Sequence, residues 1–531
     1  MPTDQTSIFQ QLKFVSLLAF ALCNSAFAEK PYAQRLFAID FIHQSFKTRY
    51  APLEWKQKEF GWDLEKEIAG AKSQLHESLT DEDFQKIVSS LLQSPLDYHV
   101  KARFYATEQA MLPFSIKSAE GRYFFSSIEQ DDFPFEVGDE LISMDDTPIA
   151  KIINALKPKR QNHGPTDQEL AEITLTNRKA SLGDEIPSSL VILTGIKKGE
   201  AKLTRCVLSW DYVPELIKKG HSRLLAQTNE LIPSKRGYFP FLGAPIWQAP
   251  SHHTFFAYLF SFPLGKQVAT IGFIRIPTYS FENSEKAVQD FALAIDTFQR
   301  RADLLVIDQT DNSGGSILTM YSLLSMLTDL PLDVLRHDVC LNEADVYLSY
   351  KQWAVFDGIQ SDEKAKATLG RAFEGYPVSS SFVAAMQERN RLLIQEWQKG
   401  QMFIPGFLYG ISSITPHPQI RFSKPILCLI DPLDMSCGDF FPAILQDNQR
   451  AILMGQQTAG AGGFVNRIEF PCQNSIKHID LTASMAKRKS GEYIENNGIK
   501  PDVEYIPTVI DLQNNYVEYT QAIFKLLKEM I

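Results

Sequence analysis

Behind Thr80 the chain places Phe84, Ile87, Val88 and Leu91 on one helix face, and Thr80 followed by Asp81-Glu82-Asp83 is a helix start. Residues 30–93 read as helical, Pro95 as the stop, and the alternation over 100–105 as a strand. From 106 to 212 the pattern shortens to a β-rich module. Within it Gly138-Asp139, the run Leu141-Ile142-Ser143-Met144 and the pair Asp145-Asp146 predict strand, turn and strand. Residues 213–262 follow neither period and are rich in proline, glycine, basic and aromatic residues, which predicts a functional or mobile segment. Beyond 262 strands and helices alternate: strand 268–276, helix 284–300, strand 304–307, helix 316–327, strand 426–430, helix 438–446 and an amphipathic stretch over 512–530. Such alternation predicts a mixed α/β fold, layered, with its sites at strand ends.

A length of 531 residues exceeds what one core supports and predicts two or three domains. With 44% hydrophobic and 22% charged residues, widespread disorder is not expected. A net charge of -10 argues against a nucleic-acid partner, because nothing would displace counterions from a phosphate backbone. Lys13, the apolar run 14–22 and Ala26-Phe27-Ala28 form a secretory signal peptide, residues 1–28, so the chain is expected to be secreted to a periplasm or beyond. That run is too short to span a bilayer, and no membrane anchor is expected. Of six cysteines, Cys23 leaves with the signal. Cys206, Cys340, Cys428, Cys437 and Cys472 show neither CxxC nor Cys/His spacing, so no metal and no cofactor are expected, and one isolated disulfide stays open.

Two places carry candidate chemistry. In Asp434-Met435-Ser436-Cys437-Gly438-Asp439 a β run has ended and a helix begins. A serine there stands exposed on a rigid turn, with free amides beside it for a developing oxyanion. The same position suits an ordinary helix N-cap, and locally the two readings stand level. No GxSxG elbow occurs, which excludes an α/β-hydrolase. Gly314-Gly315, after strand 304–307, either lets the backbone approach a ligand closely or makes a plain strand-to-helix turn.

Asp308-x-x-x-Asn312-Ser313-Gly314-Gly315 resembles the D-x-R-x-N-x-G-G motif of tail-specific (C-terminal-processing) serine proteases, and Thr458-Ala459-Gly460-Ala461-Gly462-Gly463 their T-x-G-K-G stretch. Ala461 stands where those enzymes carry a lysine base, and Thr310 where they carry arginine, so a Ser-Lys dyad is excluded at the usual place. A serine still needs a base. The branch that uses His and Glu, the chlamydial protease-like activity factor group, is matched by Asp97-Tyr98-His99, Ser436-Cys437-Gly438-Asp439 and Tyr493-Ile494-Glu495-Asn496. The resemblance implies a catalytic triad of Ser436, His99 and Glu495, with Gly314, Gly315 and Cys437 at the oxyanion hole. Phe135 to Ile149 is similar to a PDZ signature, so a PDZ-like domain is expected at 106–212, inserted between an N-terminal helical region carrying the histidine (29–105) and an α/β protease domain (263–531).

The resemblance further implies protein or peptide substrates, host proteins among them, a homodimer, and a zymogen. Its latch would be 213–262, with Phe239, Phe241 and Trp247 in the substrate groove and Lys218, Lys219, Lys235 and Arg236 as cleavage points. The competing function is a non-catalytic ligand- or peptide-binding protein on the same fold.

Overall fold

The structure, a computed structural model, describes residues 31–158, 163–187, 189–215, 239–470 and 475–531. The signal segment, Cys472 and the expected cleavage points Lys218, Lys219, Lys235 and Arg236 lie outside the described residues.

The C-terminal half is built on a seven-stranded sheet whose strands follow chain order: Pro245–Gln248, Phe256–Leu264, Gln267–Arg275, Leu304–Asp308, Ile426–Ile430, Ile452–Gly455 and Val503–Glu504. Pairing is antiparallel up to Gln267–Arg275 and parallel from there on. The two central strands, Leu304–Asp308 and Ile426–Ile430, are buried at every position, as apolar runs covered on both faces must be. Leu305, Ile307, Cys428 and Ile430 face one core with the helices Ser284–Arg301, Ile317–Ser325 and Cys437–Asp447. Leu304, Val306, Leu427 and Leu429 face another with Tyr519, Ile523 and Leu527 of the C-terminal helix Val517–Met530. The expected single helix over 512–530 is in fact Val509–Gln513 and Val517–Met530, broken where Asn515 and Tyr516 take positive φ.

Two expectations for 213–262 are corrected. Pro245–Gln248 and Phe256–Leu264 are strands of the main sheet, and of the proposed groove residues Phe239 belongs to the core, Trp247 is half-buried against it and Phe241 is exposed. Phe239 packs edge-on against Tyr516 and Tyr519, Phe241 against Tyr258, and Trp247 against Phe298. These ring contacts seat Phe239 and Trp247 on the domain, so neither stands free in a groove, whereas Phe241 keeps an exposed face.

The module at 106–212 forms the sheet Phe114–Ala119, Arg122–Ile128, Glu140–Met144, Leu190–Ile196 and Leu203–Ser209, with helices Ile149–Leu156 and Pro165–Thr176. Asp145 and Asp146 sit at φ 49° and 58°, the tight turn their sequence predicts. Thr166 donates to the Pro432 carbonyl at 2.8 Å and ties this module to the C-terminal half.

The N-terminal helices Pro31–Arg49, Leu53–Phe60, Leu64–Ser73 and Asp81–Gln93 do not make a core alone. The Thr80 hydroxyl caps the last of them at the Asp83 amide, and Phe84, Ile87, Val88 and Leu91 are buried. Their partners are Ile468, Ile476, Ile479 and Leu481, almost at the other end of the chain. Strand Lys101–Phe104 pairs antiparallel with Ile476–Thr482, setting Lys101 opposite Asp480. That pairing carries the residues just before it, including His99, into the C-terminal half.

Candidate active site

Ser436 begins the helix Cys437–Asp447 at φ 55° and ψ −117°, a conformation most residues avoid. It occupies the N-cap position, yet its hydroxyl makes no capping hydrogen bond. Thr80 and Ser316 do cap their helices, so the comparison favours a serine kept free over a structural cap. The turn is held by its neighbours. Asp434 accepts from the Asn312 amide (3.0 Å) and the Gln309 side chain (2.9 Å), and the Met435 amide donates to the Asn312 carbonyl at 2.9 Å.

The glycine pair lies directly against this turn. A Cβ on Gly314 would sit 2.7 Å from the Met435 carbonyl oxygen and 2.8 Å from Ser436 Cβ, so only glycine lets the two loops touch. Gly314 differs from expectation in one respect. Its own N–H donates to Asn312 Oδ1 at 2.9 Å, because the Asn side chain closes the turn, and it is not free for an oxyanion. The Cys437 amide has no backbone partner among the described residues, while the Gly315 amide lies against the Cys437 sulfur. Cys437 is buried, its thiol donates to the Gly315 carbonyl at 3.1 Å, and burial pushes its ionisation far above the ordinary range. A buried thiol held protonated lacks the thiolate that nucleophilic attack requires.

Asp439, in the first turn of the same helix, accepts from the Thr458 hydroxyl and from the amides of Gly460 (2.9 Å) and Ala461 (3.0 Å). It thereby fastens the glycine-rich loop to the helix that Ser436 begins, and burial raises its carboxyl to about 7. The loop in turn meets Glu495, since the Gly462 amide donates to Glu495 Oε2 at 3.1 Å. Glu495 is buried and its other oxygen takes the Lys56 ammonium at 2.8 Å. Burial and the nearby Asp97 raise the Glu495 carboxyl to about 7, against the pull of Lys56.

His99 hangs on Asp97, whose carboxylate accepts the His99 amide (2.9 Å), the Tyr50 hydroxyl (3.1 Å) and the Thr482 hydroxyl (2.7 Å). Burial lowers the imidazole to about 4 and keeps it neutral, as a base must be. Nδ1 of His99 is buried without a hydrogen-bond partner, and no hydrogen bond joins Ser436, His99 and Glu495 among the described residues. The structure thus unites Ser436 with the glycine pair, and Glu495 with the Asp97–His99 loop through Lys56, without closing the triad.

Sequence reasoning missed Lys56 and Arg275, and gave Asp439 no role. Arg275 Nη1 donates to Asp308 Oδ2 and to Thr310 Oγ1, both at 3.0 Å, so a guanidinium from the adjacent strand reaches the loop that lacks the motif arginine. The acidic residue after Ser-Cys-Gly was visible in the sequence. Neither cation had a local signal.

Comparison with known proteins agrees with this architecture. A PDZ domain model matches residues 108–219, and the model of peptidase family S41 matches 270–505. An uncharacterised protein of Chlamydia muridarum is 31% identical, covering 93% of this chain and 92% of its own. A Chlamydia pneumoniae protein is 32% identical over 91% of this chain and 88% of its own. Among solved structures, mature CPAF, the Chlamydia protease-like activity factor, superposes with a TM-score of 0.84 at 31% identity, covering 94% of this chain and 98% of that one. The same protein complexed with lactacystin gives 0.85 at 32% identity, covering 94% and 99%. The chain is a member of peptidase family S41, of the kind represented by the Chlamydia protease-like activity factor.

Proposed function

We propose that the chain is an exported serine endopeptidase that cleaves proteins through Ser436, His99 and Glu495. The observation that carries this reading is Ser436 itself: a strained, uncapped serine at a helix start, pressed against Gly314 and followed by the Cys437 amide, which has no backbone partner among the described residues. Ser436 Oγ attacks the scissile carbonyl while its proton passes to His99. The amides of Gly315 and Cys437 receive the oxyanion, and Gly314 supplies close approach. His99 returns the proton to the leaving amine, and water then releases the acyl group by the same route. Glu495 orients the imidazole and stabilises its charged form. Labelling of Ser436 by a fluorophosphonate tests this against a non-catalytic binding protein, which would not react. Lactacystin, found in complex with mature CPAF, should compete with that label.

His99 stays neutral far into acid, whereas Glu495 is poised near neutrality. A triad glutamate acts as the carboxylate, so kcat/KM on a peptide substrate is expected to fall as pH drops through about 7. An acid limb centred near 4 would assign the loss to His99 instead.

The unclosed triad suits a latent, uncut precursor, with 216–238 as the segment removed, export by the N-terminal signal and a homodimeric active form. Incubating the purified chain at neutral pH should yield two fragments that stay associated, with activity rising as they form. Ser436→Ala should remain one chain. A fully active, uncut monomer on gel filtration would end the latency reading.

A further inference from the structure

Lys56 is buried to the end of its side chain, as is Glu495 beside it, each side chain being 1% exposed. It lies on the short helix Leu53–Phe60, in which it is the one buried residue. A buried ammonium persists only where its donors are used and its charge is answered. Here all three acceptors come from the candidate site: Glu495 Oε1 at 2.8 Å, the Leu96 carbonyl at 3.3 Å, and Asn496 Oδ1. The rings of Trp55 and Phe60 lie 5.5 and 5.6 Å away and cover the charge, and Trp55 packs on Tyr493, two residues before Glu495.

The two loops that Lys56 joins are the ones that carry His99 and Glu495. Leu96 takes positive φ one residue before Asp97, and its carbonyl also accepts from Asn496 Nδ2 at 2.7 Å. The charged and titratable groups around Glu495 are Lys56, Asp97 and Tyr50, with the Gly462 amide as its other donor. Lys56 is the only cation among them. Without it a buried carboxylate would face Asp97 with one amide for support. Each Glu495 oxygen keeps a second lone pair, so engagement by Lys56 leaves room for an imidazole N–H.

We propose that Lys56 is a positioning residue for proteolysis: it fixes the Glu495 carboxylate, keeps it charged, and makes assembly of the site depend on the docked N-terminal helix. The proposal rests on reading Glu495 as the triad acid. A purely structural staple would alter stability and leave the pH profile alone.

The test measures peptide hydrolysis against pH for Lys56→Met, Lys56→Arg and Glu495→Gln in the mature chain, with folding followed by circular dichroism. Lys56→Met should lower kcat roughly 100-fold, the scale of a misplaced proton-transfer group, and move the acid limb of kcat/KM upward by about one pH unit or more. Lys56→Arg, which keeps the charge, should restore the wild-type limb. A folded Lys56→Met with unchanged kcat and unchanged limb, beside an inactive Glu495→Gln, overturns the role of Lys56 alone. A fully active Glu495→Gln overturns the triad reading itself. Should Lys56→Met not fold, Lys56→Gln still donates hydrogen bonds without charge, and the same outcomes decide.

Discussion

Ser436→Ala is expected to reduce casein hydrolysis roughly 10,000-fold or more while the protein stays folded. The size follows from the proposed chemistry: without the hydroxyl no acyl-enzyme forms, and only the binding and oxyanion contributions remain. Stability should hold because the Ser436 hydroxyl caps nothing. Removing the Thr80 hydroxyl, which does bond the Asp83 amide, would by contrast cost about 1 kcal/mol. Cys437→Ala should keep most activity, since its thiol is buried against the Gly315 carbonyl and its contribution is a backbone amide. Loss of activity in Cys437→Ala with retention in Ser436→Ala would shift the nucleophile by one residue.

The second large effect is expected at Arg275→Met, as a loss of about 3–5 kcal/mol in urea denaturation. Arg275 and Asp308 are both fully buried and bonded at 3.0 Å, so deleting the cation strands a carboxylate in the sheet. Asp308 also accepts from the Thr310 amide and hydroxyl, at 3.1 and 2.7 Å, and so begins the loop that ends at Gly314-Gly315. Activity should fall with stability, because that loop touches Ser436. A loss under about 1 kcal/mol would mean that the glycine loop stands without the ion pair.

What the sequence disclosed was local. Thr80, the Asp145-Asp146 turn and the run Ile426–Ile430 each combine a residue type with a nearby pattern, and each lies where the pattern places it. Ser436 was visible for the same reason, as the end of a strand, a turn and the start of a helix. Lys56 was not, because a lysine in Leu53–Phe60 reads as an ordinary exposed helix residue and its carboxylate partner lies 439 residues further on. Phe256–Leu264 escaped because burial on both faces erases the alternation that marks a strand, and Pro263 sits inside it. The helices Glu343–Phe356 and Ser380–Gln398 were also missed. On the first of them Tyr347, Leu348, Tyr350 and Val355 are exposed apolar residues that blur the helical period. The role of Gly314 was half legible: the paired glycines announce a close approach, but only the fold shows that Asn312 has already taken the amide.

The pairing of Lys101–Phe104 with Ile476–Thr482 has a consequence for timing. A ribosome adds roughly 5–20 residues per second, and the helices of the N-terminal region emerge long before the strand that covers them. Until residue 482 has been made the His99 loop lacks its sheet partner, and until residue 495 Lys56 has no carboxylate to hold. A nascent chain therefore carries its serine and its histidine as unrelated side chains, and a truncated product carries them indefinitely. On the proposed triad, hydrolytic capacity would arrive late, once the last of these partners is threaded into place, and interrupted synthesis would leave inert fragments.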